Sequence, residues 1–581
     1  MTVLISHRRL VQLVALFLLA AANLASAQDI TDLIDQLGDQ DPEVRIKATE
    51  TLAGLGAAAR PAFEQMVKNL RLKDEALEQW AIVDAFAKIG PPAMSEVPVL
   101  LELYPQHAGT KFATALLDAI EQIGEAAVPN VMLGLQQRDP AIRVAAARAA
   151  ERLGPRAAGA VSALSLTLND SDAAVDAAIA LGAIGPQAQP AVPDLIASLR
   201  DDRLALRVAA SGALGRIGPS AAPAVPDLIR LAAAGPQPLS AAAVVALGQI
   251  GPVTVEVVPA VVGALRSQSV PVAEAATRAV EFMGPEAAAA TPFLIRNLSN
   301  PPLKQASVEA LGAVGRPAVP ALAQALGDGQ TRTRRGAAAA LARIGPDAIS
   351  AVPALIAALH GEDRQVARDA ADALAAIGPD ANPAVPALVQ AMSDEDDDIR
   401  QNFHGALVRI GPAGPESVPL LEQHLSHEQP MVRQFAAWSL GRVGLGAALA
   451  RSALVERLKD KQLAVRVWSA WALGRIGGLT SDAAVPILSE GLGSDDTAVR
   501  TAATEALGRL GPRAAPAVSV LIQAMQDEHH EVRLWAAWSL GQVGPTAAAT
   551  AEGPLQQALE DPNERVRVWV AKSLAKLRGD S

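Results

Sequence analysis

Residues 139–155 read DPAIRVAAARAAERLGP, and residues 496–512 repeat the same sentence as DTAVRTAATEALGRLGP. Counting Val499 as position 0, the apolar positions are 0, 4, 8 and 11, filled by Val499, Ala503, Leu507 and Leu510, which is the stripe of an amphipathic helix. Asp495 and Asp496 stand where an N-cap belongs, and Gly511 with Pro512 marks the stop. The segment after a stop, such as PDANPAVPALVQAM over Pro379–Met392, is again apolar at helical spacing, with Pro386 tolerable in a first turn or as a kink. It predicts a first helix for each repeat, ahead of the second helix just described. No run alternates apolar and polar residues as a strand would. The closing glycine recurs from Gly56 to Gly544 at intervals of 30 to 34 residues. A fixed period of this size predicts a solenoid, in which each repeat buries its apolar face only by stacking on the next.

The rest of the composition fits one all-α body of thin helical layers. Of 581 residues, 50% are hydrophobic but only 3% aromatic. Arg8 and Arg9, the apolar run Leu10 to Leu24, and Ala25-Ser26-Ala27 before Gln28 have the three parts of a secretory signal over residues 1–27. With no cysteine, disulfides and thiol chemistry are excluded, so an exported chain must rely on packing. Removing the leader takes the formal charge from −11 to −13, which argues against a nucleic-acid partner. The most apolar later stretch, Leu239 to Leu265, is broken by Gly251-Pro252 and Pro259 and carries Glu256, so the mature chain is expected to have no membrane span.

Tetratricopeptide and ankyrin signatures do not recur. The pattern D-x-x-V-R-x-x-A-A-x-A-L-G-x-I-G-P of Asp139–Pro155, Leu206–Pro219 and Asp496–Pro512 instead resembles HEAT repeats of the short, phycobilisome-lyase-like kind, over nearly all of residues 29–578. The resemblance implies a right-handed α-solenoid of about seventeen helical hairpins, continuous over residues 28–581. It also implies a ladder from the arginines at position 1: Arg45, Arg143, Arg207, Arg334, Arg400, Arg433, Arg466, Arg500, Arg533 and Arg567. Each would bond across the inter-helix loop or to the neighbouring repeat's aspartate, in the fork geometry that favours Arg over Lys. Gln79, Ala113, Ala174, Ser240, Ala273 and Lys304 interrupt it, and Pro236, Pro238, Pro271, Pro301 and Pro302 cluster in a section, 235–315, that is expected to be looser or simply to have drifted.

Chemistry-bearing residues are few. The His-Glu pairs of HEAT-repeat deoxyhypusine hydroxylases, which hold two irons, have only His427-Glu428 and His530-Glu531 as counterparts, both ahead of the Val-Arg of their helix and too few for that site. His424 and His427 share a helical face without an evident third ligand. Asp394-Glu395-Asp396-Asp397-Asp398 lacks the glycine and glutamate of a calcium loop, where Ile399 and Gly405 stand. No cofactor or metal site is expected.

One departure from the repeat average stands out within residues 430–575. Six of seven tryptophans fall there at positions 3 or 6 of a second helix: Trp438, Trp468, Trp471, Trp535, Trp538 and Trp569, joined by Phe435. At the helical period position 3 lies at about 300° and position 6 at about 240°, away from a stripe centred near about 35°. Position 6, and Trp471 and Trp538 in particular, is therefore expected to turn furthest toward an open face. Arg442, Arg475 and Arg509 at position 10 accompany them, and Trp beside Arg is the composition of binding hot spots. The competing reading is that each indole fills space left by small residues on the adjacent second helix. Ala502 and Glu505 interrupt the row. The expected function is an exported scaffold or adaptor that binds a protein or peptide along its concave face, with a glycan as an alternative ligand of the tryptophans. The competing class is a chromophore lyase-like or metal-dependent enzyme.

Overall fold

The computed structural model describes residues 29–72, 76–391, 397–411, 417–477 and 481–578, and every regular element among them is helical. The expected leader, its cleavage point at Gln28 and the acidic run from Asp394 to Asp396 lie outside the described residues, as do the side chains of Asp397, Asp398 and Arg400. The fold is an α-solenoid of helical hairpins. The chain divides into two compact units, Met1–Phe293 and Leu294–Ser581.

One repeat of the N-terminal unit runs as a 3-10 stretch Gly185–Ala191, a short α-helix Val192–Ser198 and a long α-helix Leu204–Ile217. Its counterpart in the C-terminal unit is Gly345–Ala351, Val352–Leu359 and Arg364–Ile377. The first helix is thus shorter than the sequence pattern predicts. Over Pro379–Met392, residues Gly378–Ala384 form the 3-10 stretch and only Val385–Ala391 is α-helical. Pro379, Pro383 and Pro386, which lack an amide donor, are compatible with this geometry, but Gly444–Ala450 and Arg451–Arg457 adopt it with no proline, so the break belongs to the repeat itself.

The second helices start and stop where the residues demand. Asp496 accepts a hydrogen bond from the Ala498 amide at 2.8 Å, and Asp139 does the same for Ala141 at 2.9 Å. At the other end Gly511 adopts φ +59°, ψ −133°, a region closed to a residue with a Cβ. This turn sends the chain directly into the next 3-10 stretch.

Successive second helices pack closely on one another within each unit, whereas neighbouring first helices touch little. A second set of glycines, at position 9 of the second helix, makes the close approach possible. A methyl group on Gly182 would lie 2.9 Å from the Ala213 Cα, and one on Gly215 would lie 2.8 Å from that of Ala246. Alanine is too large there, and backbones meet. Around these contacts the stripe residues are sealed: Leu181, Leu214, Leu247 and Leu374 are wholly buried, each contributing about 2 kcal/mol of transfer free energy.

The arginine ladder forms, and it does both jobs at once. Arg500 donates from Nη1 to the carbonyls of Ser494 and Asp495, bracing its own loop, and from Nε to the next repeat's Asp527 at 2.7 Å. Arg143 with Asp170, Arg433 with Asp460 and Arg533 with Asp561 repeat the arrangement. The Arg533 hydrogen bond holds the Asp561 carboxyl below its ordinary range, and at Asp527 the Arg500 bond and the His529 amide outweigh the upward push of burial. Some rungs use other acceptors. Arg45 pairs with the buried Glu78, Arg466 reaches Glu490, Arg207 bonds the Leu199 carbonyl, and Arg567 bonds the carbonyls of Asp561 and Pro562. In the 235–315 section Ser240 bonds the Ala232 carbonyl instead, while Pro238, Pro271, Pro301 and Pro302 sit in helix first turns, where proline is tolerated.

Candidate binding cleft on the second-helix row

The tryptophans of the C-terminal unit arise on second helices Pro430–Val443, Leu463–Ile476, His530–Val543 and Glu564–Arg578, with Thr497–Leu510 between them. At Trp471 and Trp538, position 6 lies directly against the position-9 glycine of the preceding second helix. A methyl group on Gly441 would meet Trp471 Cε3 at 2.6 Å, and one on Gly508 would meet Trp538 Cε3 at 2.6 Å. These two indoles therefore fill glycine-made space, and position 3 packs against position 6. Trp468 and Trp471 meet edge to face at 5.3 Å, Trp535 and Trp538 at 5.2 Å, while Phe435 and Trp438 are tilted at 5.4 Å.

Exposure separates the members of this row. Phe435 and Trp471 are buried, and Trp468 nearly so; Trp438, Trp535, Trp538 and Trp569 are half-buried. Trp471, expected to turn toward the open face, is only 4% exposed. The ring packs against Gly441 of the preceding repeat and is held there from two sides: Trp471 Nε1 donates to Glu505 Oε2 of the following repeat at 2.7 Å, and Arg475, four residues on in the same helix, lies over the indole with its guanidinium carbon 5.0 Å from the ring centroid. Arg475 also donates to the Gly441 carbonyl at 2.8 Å and reaches Glu505 at 3.3 Å, and Arg509 donates to the same carboxylate at 2.8 Å.

Glu505, which interrupts the tryptophan pattern at position 6, is thus its electrostatic centre. It is 8% exposed and accepts from one indole and two guanidinium groups, a set of charge-assisted bonds that compensates its burial. Sequence reasoning passed over it because it broke the aromatic row. An acid where a Trp is due, between Arg475 and Arg509, was the available signal.

An open cleft of about 460 Å³ lies beside this cluster. Its lining joins four second-helix segments: Trp438 and Arg442, Trp468 and Trp471, Thr501 and Glu505, with His529 and Glu531 at the far rim. Arg442 is exposed and stands 5.5 Å over the Trp438 ring. Trp468 has a buried indole N–H that meets no acceptor among the described residues. Of the ten residues expected from sequence, Trp438, Arg442, Trp468 and Trp471 line the cleft. Arg475 and Arg509 brace it through Glu505, and Phe435 supports Trp438 from beneath. Trp535, Trp538 and Trp569 stand apart from it, the last under Lys572 at 4.6 Å. The paired histidines His424 and His427 stack at 6.0 Å, with His424 Nδ1 on the Leu420 carbonyl.

A family profile described as HEAT repeats matches residues 291–375, 352–430, 385–474, 418–508, 485–551 and 518–581. These overlapping stretches take in half of the sequence, and the chain belongs to the HEAT-repeat family. No curated protein matches it. Among solved structures it is similar to Kap121p bound to Ste12p, at 13% identity and a TM-score of 0.45 over 95% of this chain and 72% of that one. It is also similar to importin beta, at 14% identity and a TM-score of 0.41 over 99% and 98%.

Proposed function

We propose that the protein is an exported scaffold that binds another protein through the second-helix row of its C-terminal unit. The observation that carries this reading is the cleft walled by Trp438, Arg442, Trp468 and Trp471. A half-buried indole under an exposed guanidinium offers a large, pre-ordered contact area at small entropic cost, the chemistry of binding hot spots. The closer packing of second helices than of first helices supports assigning this row to the concave side of its layer. The repeat signature of Asp496–Pro512 supports the short, phycobilisome-lyase-like type, and the leader over residues 1–27 supports export.

The test is retention of a partner from envelope extract of the native host by the wild-type protein and by the Trp438→Ala, Arg442→Ala variant. Both side chains are partly or fully exposed, so the variant is expected to keep the wild-type circular dichroism while losing the partner at least tenfold. Equal retention by both proteins would refute this assignment of the cleft.

A further inference from the structure

The N-terminal unit carries a larger cavity that the tryptophan cleft does not explain. Four successive second helices, Ala174–Ile184, Leu204–Ile217, Gln237–Ile250 and Val270–Met283, share an open trough of about 1100 Å³. Its floor is made of small residues, Ala209, Gly212, Ala242 and Ala275, at positions 3 and 6 counted from Leu206, Leu239 and Val272. These are the positions that hold indoles in the C-terminal unit, where the cleft shrinks to about 460 Å³. Here the fold keeps the space open. Ile179, Leu204, Val208, Val245 and Phe282 make the walls, and Phe282 is 52% exposed.

Charge on the trough is uneven. Arg216 at position 10 and Arg278 at position 6 lie toward the C-terminal ends of their helices, both exposed and both without a carboxylate or other hydrogen-bond partner among the described residues. Glu274, one turn before Arg278, is exposed and makes no ion pair with it. Between Leu204 and Arg216 the trough runs about 18 Å along the helix axis. In a chain of net charge −11, two unpaired cations at one end of an apolar trough are complementary to an acidic ligand rather than to the rest of the protein.

We propose that this trough docks a peptide segment of a partner protein that supplies its own large apolar side chains and sets carboxylates against Arg216 and Arg278. The floor of alanine and glycine lets that segment approach the helix backbones, and its Leu, Phe or Trp side chains take the volume that tryptophans occupy in the other unit. The trough is broad and open along its length, which suits several side chains better than a single acyl tail. The inference is separate from the tryptophan cleft and does not depend on it.

The test is selection of a displayed library of random 16-residue peptides on the full-length protein, with counter-selection on the Ala209→Trp, Ala242→Trp variant. Trp468 and Trp535 occupy the same position 3, so the repeat accommodates the substitution. Peptides rich in large apolar residues and in Asp or Glu should be enriched. Their binding should be lost in the tryptophan variant, weakened about tenfold or more by Arg216→Gln with Arg278→Gln, and reduced by salt. The exposed arginine pair keeps the test decisive if the tryptophan variant fails to fold. Enrichment of basic or uncharged peptides, equal binding to all three proteins, or no enrichment would overturn the proposal. So would binding of laurate in the trough with no peptide selected, which would make it an acyl-chain site.

Discussion

Gly441→Ala and Gly212→Ala are the same change in two helix interiors, and the structure predicts opposite signs. In a helix the exchange of Gly for Ala gains about 0.8 to 1 kcal/mol. At Gly212 the new methyl meets nothing within 4 Å, so the variant should be more stable by roughly that amount. At Gly441 it would lie 2.6 Å from Trp471 Cε3 and 3.0 Å from the Ala472 Cα. One obstacle is a rigid ring pinned by Glu505 and Arg475, the other is backbone, so neither can yield cheaply. Overpacking of this kind costs about 1 to 3 kcal/mol; with the upper figure, the net loss is about 2 kcal/mol. A long repeat array need not melt in one step, and its coupling is between neighbours. The assay is therefore hydrogen exchange read on peptides spanning 430–443 and 463–476, where a loss of this size accelerates exchange about thirtyfold. Restoring space with Trp471→Ala in the Gly441→Ala background should make the two changes less than additive. A Gly441→Ala protein as protected as wild type, or as stabilised as Gly212→Ala, would refute the claim that the indole occupies glycine-made space.

Glu505→Ala leaves the buried Trp471 N–H without its acceptor and should cost about 1 to 3 kcal/mol, while Glu505→Gln, which keeps an acceptor, should cost less; urea titration followed by tryptophan fluorescence measures both. Arg533→Gln removes the partner of Asp561, whose side chains are largely buried, and should cost about 3 kcal/mol at pH 7, read as a shift in the local unfolding midpoint. Because Asp170, Asp460, Asp527 and Asp561 are all held below the ordinary carboxylate range, their stabilisation is fully present above about pH 4 and lost as pH falls through the lower folded values. Melting temperature should drop on acidification below pH 4, and less steeply in Arg533→Gln. Export predicts that the protein recovered from its native host begins at Gln28, which N-terminal sequencing decides.

Much of this architecture was legible because the repeat states its rules many times over. Asp496 and Gly511 act as start and stop because their local chemistry is sufficient, and Arg500 finds Asp527 because the period fixes where the next loop falls. The first helix is shorter than its apolar spacing predicts because that spacing does not distinguish 3-10 from α geometry: Gly444–Ala450 is a 3-10 stretch without a single proline. Burial of Trp471 was not legible from its azimuth. A helical wheel gives direction but not the distance to the next helix, and that distance was set by Gly441, a residue on the preceding repeat. The N-terminal trough was hidden for the converse reason: Ala209, Gly212 and Ala242 look like ordinary small residues until the helices that carry them are placed side by side.

The central claim, that a partner protein sits on the tryptophan row of the C-terminal unit, is tested most directly by site-specific photocrosslinking in the native host. A benzophenone side chain is placed at Thr501 in the cleft and, separately, at Leu449, which is 82% exposed in the turn after Gly444. The account predicts a discrete adduct with one second protein from position 501, abolished by Trp438→Ala with Arg442→Ala, and none from position 449. An adduct from position 449 alone, or one from position 501 that survives loss of Trp438 and Arg442, would contradict it.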